Sequence, residues 1–243
     1  MIIMLENQDY SAAITAPYMS SLQQSGTLLS NYLAVAHPSQ PNYIALVSGS
    51  TNGVTSDSNV NLNVKNVADL LEAKGLTWKN YAEVGGCFTG SSSGTYARKH
   101  VPFLSFTDIS ATSRCSNIVI ASQLAADEAS GNLPNLMFYS PDLNNDGHDT
   151  GVAYADNWLQ SFLPSRLTNP AHANTLFFIT FDESENYNNN NQVFGILVGK
   201  GARSGVNDNA SYNHYSFLAT VEDNFSLGNL GKNDVSASIF ALI

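Results

Sequence analysis

The chain has 243 residues and carries 10 Lys and Arg against 20 Asp and Glu, a formal charge of −10 at pH 7. That balance argues against nucleic acid or an anionic membrane as partner, and an anionic substrate would need a local cation to offset the field. Only 12% of residues are charged, against roughly 25% in an average soluble domain, so Asn, Ser, Thr and Gly must dress the surface, as is common in secreted proteins.

In chain order, apolar β-rich runs alternate with amphipathic ones. "MIIML" (1–5) reads as a strand, 17–26 as a helix closed by Gly26, 27–36 as a strand, and "QPNYIALVSG" (40–49) as a helix. A helix over 66–75 ending at Gly75 leads to a strand over 76–84. Residues 85–113, rich in Gly and Ser, read as an irregular surface excursion carrying Cys87. The stretch 116–130 reads as a helix, 133–141 as a strand, 151–163 as a helix and 174–183 as a nearly continuous apolar strand. The run "VFGILVG" (193–199), a polar loop and a helix over 215–225 complete the pattern. Strands apolar throughout, in alternation with helices, imply one α/β domain over 1–243: a three-layer αβα sandwich around a mostly parallel sheet.

In such sheets ligands bind beyond the carboxyl ends of the strands, and the polar residues fall there. Glu6 and Asn7 follow the first strand, Ser39 follows the second, and Asp142, Asp146, His148 and Asp149 follow the strand at 133–139. Asp182 and Glu183 follow "LFFITF", and His214 stands before the last helix. Ser39, fenced by Pro38 and Pro41, has few backbone alternatives. It suits either of two roles, a plain helix N-cap or a nucleophile beside free first-turn amides. The adjacent acids Asp182 and Glu183 would repel each other at a buried strand end unless a cation lies between them. His37, His100 and His172 have weaker claims, although "YARKHVPF" gathers Arg98, Lys99 and His100 into the one basic cluster.

Two motifs fail on inspection. "DLNNDG" (142–147) starts like a calcium loop, but Ala153 stands where a bidentate Glu is required. "GKGARSG" (199–205) has its glycines and lysine in the wrong order for a phosphate loop. Cys87 and Cys115 could be a disulfide or two buried thiols, with the disulfide favoured. The sequons at Asn209 and Asn224 point, with it, to an extracellular protein. No run reaches the roughly 18 apolar residues of a membrane helix, and "MIIML" is too short for a secretion signal, so any such signal is expected to have been removed or to lie outside this sequence.

Five separated motifs, in order, carry a family resemblance: "ENQDY", "HPSQPNYIALVSG", "PDLNNDGHD" followed by "WL", "FDE", and "YNHYSFLATVEDNF". Over residues 5 to about 231 the chain resembles the phosphoesterase family of secreted acid phosphatases and bacterial-type phospholipases C, within the alkaline phosphatase superfamily. The resemblance implies an alkaline phosphatase-like fold. It makes Ser39 the nucleophile and a metal ligand, and completes the metal site with Glu6, Asn7, Asp182 and Glu183. It places Asp146, His148 and His214 where a second metal is held or phosphate is contacted, and puts Asn42 against the phosphoryl group. A divalent cation is implied, with calcium, magnesium, manganese and zinc all compatible with the ligand set.

The departures narrow the activity. Phospholipase C members resemble "DEHGG" after the fourth motif, whereas this chain reads "DESENYNNNN" (182–191), and Ser39-Gln40-Pro41-Asn42 lacks the arginine of a sulfatase motif. The expected function is therefore a metal-dependent phosphomonoesterase, an acid phosphatase acting on phosphorylated small molecules through phosphoserine. A phosphodiesterase or phospholipase C on the same site, or a non-catalytic phosphate-binding protein, are the alternatives. Cationic His148 and His214 would give an acidic optimum, by replacing a second metal or protonating the leaving alkoxide.

Overall fold

The computed structural model covers residues 1–243, and its central strands have the two buried faces that their apolar sequences demand. The first elements are strand β1 (Ile2–Leu5), short helices α1 (Tyr10–Ala13) and α2 (Pro17–Leu22), strands β2 (Thr27–Leu29) and β3 (Tyr32–Leu33), and helices α3 (Ser39–Ser48) and α4 (Val67–Ala73). Next come β4 (Trp78–Ala82), a small hairpin of β5 (Ser92–Ser93) and β6 (Tyr96–Ala97), the helical turn α5 (Thr107–Ser110), β7 (Ile118–Ile120) and α6 (Ser122–Ser130). Then follow β8 (Leu136–Ser140), α7 (Val152–Thr168), β9 (Leu176–Phe181), β10 (Gly195–Gly199), β11 (Val206–Asp208), β12 (Tyr212–Asn213) and α8 (His214–Asn224).

Eight strands form one sheet in the order β11-β2-β10-β9-β1-β8-β4-β7. From β9 to β7 every neighbouring pair is parallel, while β10 runs antiparallel to β9 and to β2. The fold is α/β with a mostly parallel sheet, as expected. β1, at its centre, is buried at every position, and α3 packs against α8 while α2 packs against α7. β3 and β12 pair separately and deliver the chain to α3 and α8.

Four local readings need correction. The single strand expected over 27–36 is two, because the chain turns at Ser30–Asn31 and Tyr32 leaves the main sheet to pair with Tyr212. The helix expected over 116–130 begins only at Ser122. The β-branched triplet Ile118-Val119-Ile120 instead forms an edge strand on β4, where sheet pairing outweighs the helical pattern. Helix α7 continues beyond 163, through Pro164 to Thr168. The carbonyl left without a partner belongs to Gln160, an exposed residue, so water can satisfy it. Finally, the segment 85–113 is only partly a surface excursion, since Arg98, His100 and residues 101–106 are buried. Cys87 and Cys115 are joined as a disulfide across it.

Candidate active site

Three strand ends meet at one rim and are tied together through the backbone. The Glu6 amide donates to the Asp146 carbonyl at 2.9 Å, and the Asp182 amide donates to the Leu5 carbonyl at 3.0 Å. Asn7 turns the chain away with φ +47°, a left-handed conformation that Asn tolerates, and its amide donates to Asp182 Oδ1 at 3.1 Å.

Ser39 is not an N-cap. Pro38 occupies that position, with no side-chain cap of its own, and Ser39 is the first helical residue. The whole of α3 is buried and Gly49 closes it with φ +72°, so the serine is fixed by packing from behind. Its hydroxyl lies 3.0 Å from Glu6 Oε2, 3.3 Å from Asn7 Oδ1, 3.3 Å from Glu183 Oε1 and 3.4 Å from Lys99 Nζ.

Glu6, Asp182 and Glu183 are all buried, and their charges conflict. Burial, then the charges of Glu6 and Glu183, push the Asp182 carboxyl well above its ordinary range. Burial, then Glu6, push Glu183 up to about 8. Burial alone would raise Glu6 as well, but His100, and more weakly Lys99 and Tyr43, hold it down at about 2. Such a set is relieved by a cation. The Asn7 carboxamide tests the fit. Its inward atom lies 3.1 Å and 3.3 Å from the two Asp182 carboxylate oxygens, 3.2 Å from Glu6 Oε2 and 3.3 Å from Ser39 Oγ. With its oxygen inward the amide completes an all-oxygen cage suited to a hard divalent ion; with its nitrogen inward it satisfies the same carboxylates in the ion-free protein. Glu6, Asn7, Ser39, Asp182 and Glu183 therefore come together at one rim with oxygens able to hold such an ion.

The remaining expected residues have other surroundings. The Asp146 carboxylate is within 3.1 Å of His100 Nδ1 and accepts from the His148 amide at 2.8 Å. His148 itself lies on the open rim, its Nδ1 2.7 Å from Asp149 and its ring centroid 5.9 Å from that of His100. Asn42 is saturated by backbone: Oδ1 accepts from the amides of Val35 and Ala36, and Nδ2 donates to the carbonyls of Ala36 and Pro38. Rather than pointing at a phosphoryl group, it staples the loop that presents Ser39.

His214 also departs from expectation. It is fully buried, its Nε2 donating to the Asp182 carbonyl at 2.6 Å and its Nδ1 3.0 Å from the Tyr32 hydroxyl. Burial lowers its pKa to about 4, against the pull of that carbonyl, so it is neutral in mild acid rather than cationic. It holds the backbone that carries Asp182 and Glu183.

The cationic histidine is His100, which the sequence ranked low. It sits between Glu6 Oε1 at 3.2 Å and Asp146 Oδ2 at 3.1 Å, stacked on Tyr43, whose hydroxyl donates to Glu6. Burial opposes its charge, but Glu6 and Asp146 raise its pKa to about 10. The same trio, with ligand atoms within 4.8 Å of one another, is itself a possible metal-binding group. Lys99 and His37, whose Nδ1 meets Glu183 Oε2 and whose ring stacks on Tyr187 at 3.8 Å, were likewise ranked low, and Asp57 was missed. The basic cluster "ARKH" was the one signal available for Lys99 and His100.

The model of the Phosphoesterase family matches residues 5–228. A probable acid phosphatase of Kluyveromyces lactis is 38% identical over 258 residues, covering 100% of this chain and 61% of that protein. A phosphate-repressible acid phosphatase of Penicillium chrysogenum is 34% identical over 255 residues, covering 99% and 62% respectively, so the chain spans about three fifths of these relatives. Among solved structures, a protein in the alkaline phosphatase superfamily from Vibrio parahaemolyticus superposes with a TM-score of 0.66 at 13% identity, over 96% of this chain and 69% of that one, a likeness of fold.

Proposed function

The chain belongs to the phosphoesterase family, and from that premise we propose that it is a metal-dependent acid phosphatase, hydrolysing phosphate monoesters of small molecules through a phosphoserine intermediate. The observation that carries this reading is the placement of the Ser39 hydroxyl. It caps no backbone group and instead lies 3.0–3.3 Å from Glu6, Asn7 and Glu183.

The cation held by Glu6, Asn7, Ser39, Asp182 and Glu183 supplies a lowered hydroxyl pKa at Ser39 and screening of the phosphate charge. The protein does the rest. Ser39 Oγ, deprotonated toward the carboxylates around it, forms the bond to phosphorus as the bond to the alcohol oxygen breaks. In this reading His148, exposed beside Asp149, hands a proton to the departing alkoxide. A water molecule then attacks phosphorus from the side the alcohol left, and the Ser39–phosphorus bond breaks. His100, clamped between Glu6 and Asp146, keeps positive charge behind the acids, and His214 holds the Asp182–Glu183 backbone. Phosphoryl transfer asks mainly for this kind of fixed positioning and charge stabilisation. The names of the fungal relatives support the acid range, and the disulfide supports an oxidising, extracellular location. No helix is long and apolar enough to cross a membrane.

The test is phosphate release from a small aryl phosphate and from its diester, across pH, with and without a chelator. Chelator-sensitive, acid-favoured hydrolysis of the monoester is expected. Chelator-resistant turnover, or turnover of the diester alone, refutes the reading.

A further inference from the structure

Asp57 is an exposed residue in the irregular segment between α3 and α4, and its carboxylate is seated on the machinery around the serine. Oδ1 accepts from the Gln40 amide, in the first turn of α3, at 2.9 Å. Oδ2 accepts from Lys99 Nζ at 2.8 Å. The same ammonium is 3.4 Å from Ser39 Oγ and is the cation nearest the hydroxyl. Oxygens on a phosphorus bonded to Ser39 would come within hydrogen-bonding reach of Nζ, and the Gln40 amide belongs to the residue next to the nucleophile.

The loop does not need this carboxylate to stay in place. The buried Gln40 side chain donates from Nε2 to the carbonyls of Ser56 at 3.0 Å and Ser58 at 2.6 Å, on both sides of Asp57. Asn59 Nδ2 further donates to Ser91 Oγ at 2.8 Å. The backbone is thus pinned while the side chain, 35% exposed, is free to swing toward solvent.

We propose that Lys99 is a catalytic residue which, with the Gln40 amide, contacts the phosphoryl group on Ser39, and that Asp57 is an internal surrogate for phosphate, holding this place until a phosphate dianion displaces it. This deepens the phosphatase reading and rests on it. An anion that first has to evict Asp57 binds with an apparent affinity reduced by the fraction of protein in which the place is open. The device keeps the Lys99 ammonium aimed and paired in a site crowded with acids, and favours dianionic phosphate, which can replace both of the contacts it gives up.

Inorganic phosphate is the probe, titrated calorimetrically into the metal-loaded full chain and used as a competitive inhibitor of aryl phosphate hydrolysis. Asp57→Asn, nearly isosteric and on an exposed side chain, keeps one acceptor oxygen but loses the ion pair with Lys99, and should bind phosphate about tenfold more tightly than wild type, since the charge-assisted contact no longer has to be broken. Asp149→Asn removes an equal charge from the same rim but opens no place, and should change affinity by less than about twofold. Lys99→Gln should weaken phosphate by about tenfold or more and shrink the gain from Asp57→Asn in the double variant. Phosphate binding to Asp57→Asn that is weaker than or equal to wild type overturns the proposal, as does equal tightening in Asp149→Asn or wild-type affinity in Lys99→Gln. The calorimetric arms need no turnover: a wild-type protein that binds phosphate with this pattern yet hydrolyses no monoester refutes the phosphatase reading and leaves the surrogate intact.

Discussion

Replacing Asp182 by Asn should act with opposite sign in the presence and absence of metal. In the ion-free protein its carboxyl is buried beside Glu6 and Glu183 and is pushed well above its ordinary value of 3.8, chiefly by burial and then by those charges. A folded-state pKa raised in this way makes the native protein bind the extra proton, so stability is lost as pH rises above the unfolded value. At pH 7, above the unfolded value, the ion-free protein carries this cost. Asp182→Asn removes that cost and keeps an oxygen to accept from the Asn7 amide. Its ion-free melting temperature at pH 7 should therefore exceed that of wild type, with each kcal/mol worth about 2–4 °C at this chain length. Near pH 4 the two proteins should converge.

Adding the divalent ion at a hundred times its dissociation constant should stabilise wild type by about 2.7 kcal/mol, a rise of about 5–11 °C, and leave Asp182→Asn nearly unmoved. Thermal unfolding by circular dichroism, at both pH values and with metal or chelator, reads all four corners. A variant that is less stable than wild type without metal, yet retains the full metal response, would refute the idea that these acids form a cation cage.

Other perturbations separate chemistry from architecture. Ser39→Ala should lower turnover by at least about a thousandfold and abolish phosphoserine trapping, while far-UV circular dichroism stays unchanged because the hydroxyl caps no backbone group. Glu222 is buried beside Asp234, whose carboxylate accepts from the Leu230 and Lys232 amides, and burial followed by Asp234 raises Glu222 to about 8. The stability it contributes is complete below its ordinary 4.5 and is lost as pH rises toward 8, so the melting-temperature advantage of Glu222→Gln should be larger at pH 8 than at pH 5. Opening the Cys87–Cys115 disulfide, which closes a separation of 28 residues, should cost about 3–4 kcal/mol by denaturant titration, and an unchanged midpoint in reductant would contradict this.

The sequence by itself was enough for the architecture and for half of the site. Nearly continuous apolar runs at β1, β8 and β9 dictate strands covered on both faces, and a parallel sheet places whatever follows each strand on one rim, which is why Glu6, Asn7, Asp182 and Glu183 were legible. Ser39 was legible for the same reason, although the sequence left open a cap, which the structure assigns to Pro38 instead. The edge strand β7 and the extension of α7 past Pro164 were missed because local pattern gave way to sheet pairing and to solvent exposure. Only the tertiary structure decided which histidine carries charge. That depends on what surrounds each ring: two carboxylates at His100, and a backbone carbonyl and a tyrosine hydroxyl at His214. It likewise brought Lys99 and Asp57, 42 residues apart, onto Ser39 and turned Asn42 back onto its own loop. Residue type and spacing fix what a side chain can do, but protonation and orientation follow from neighbours that long-range folding supplies.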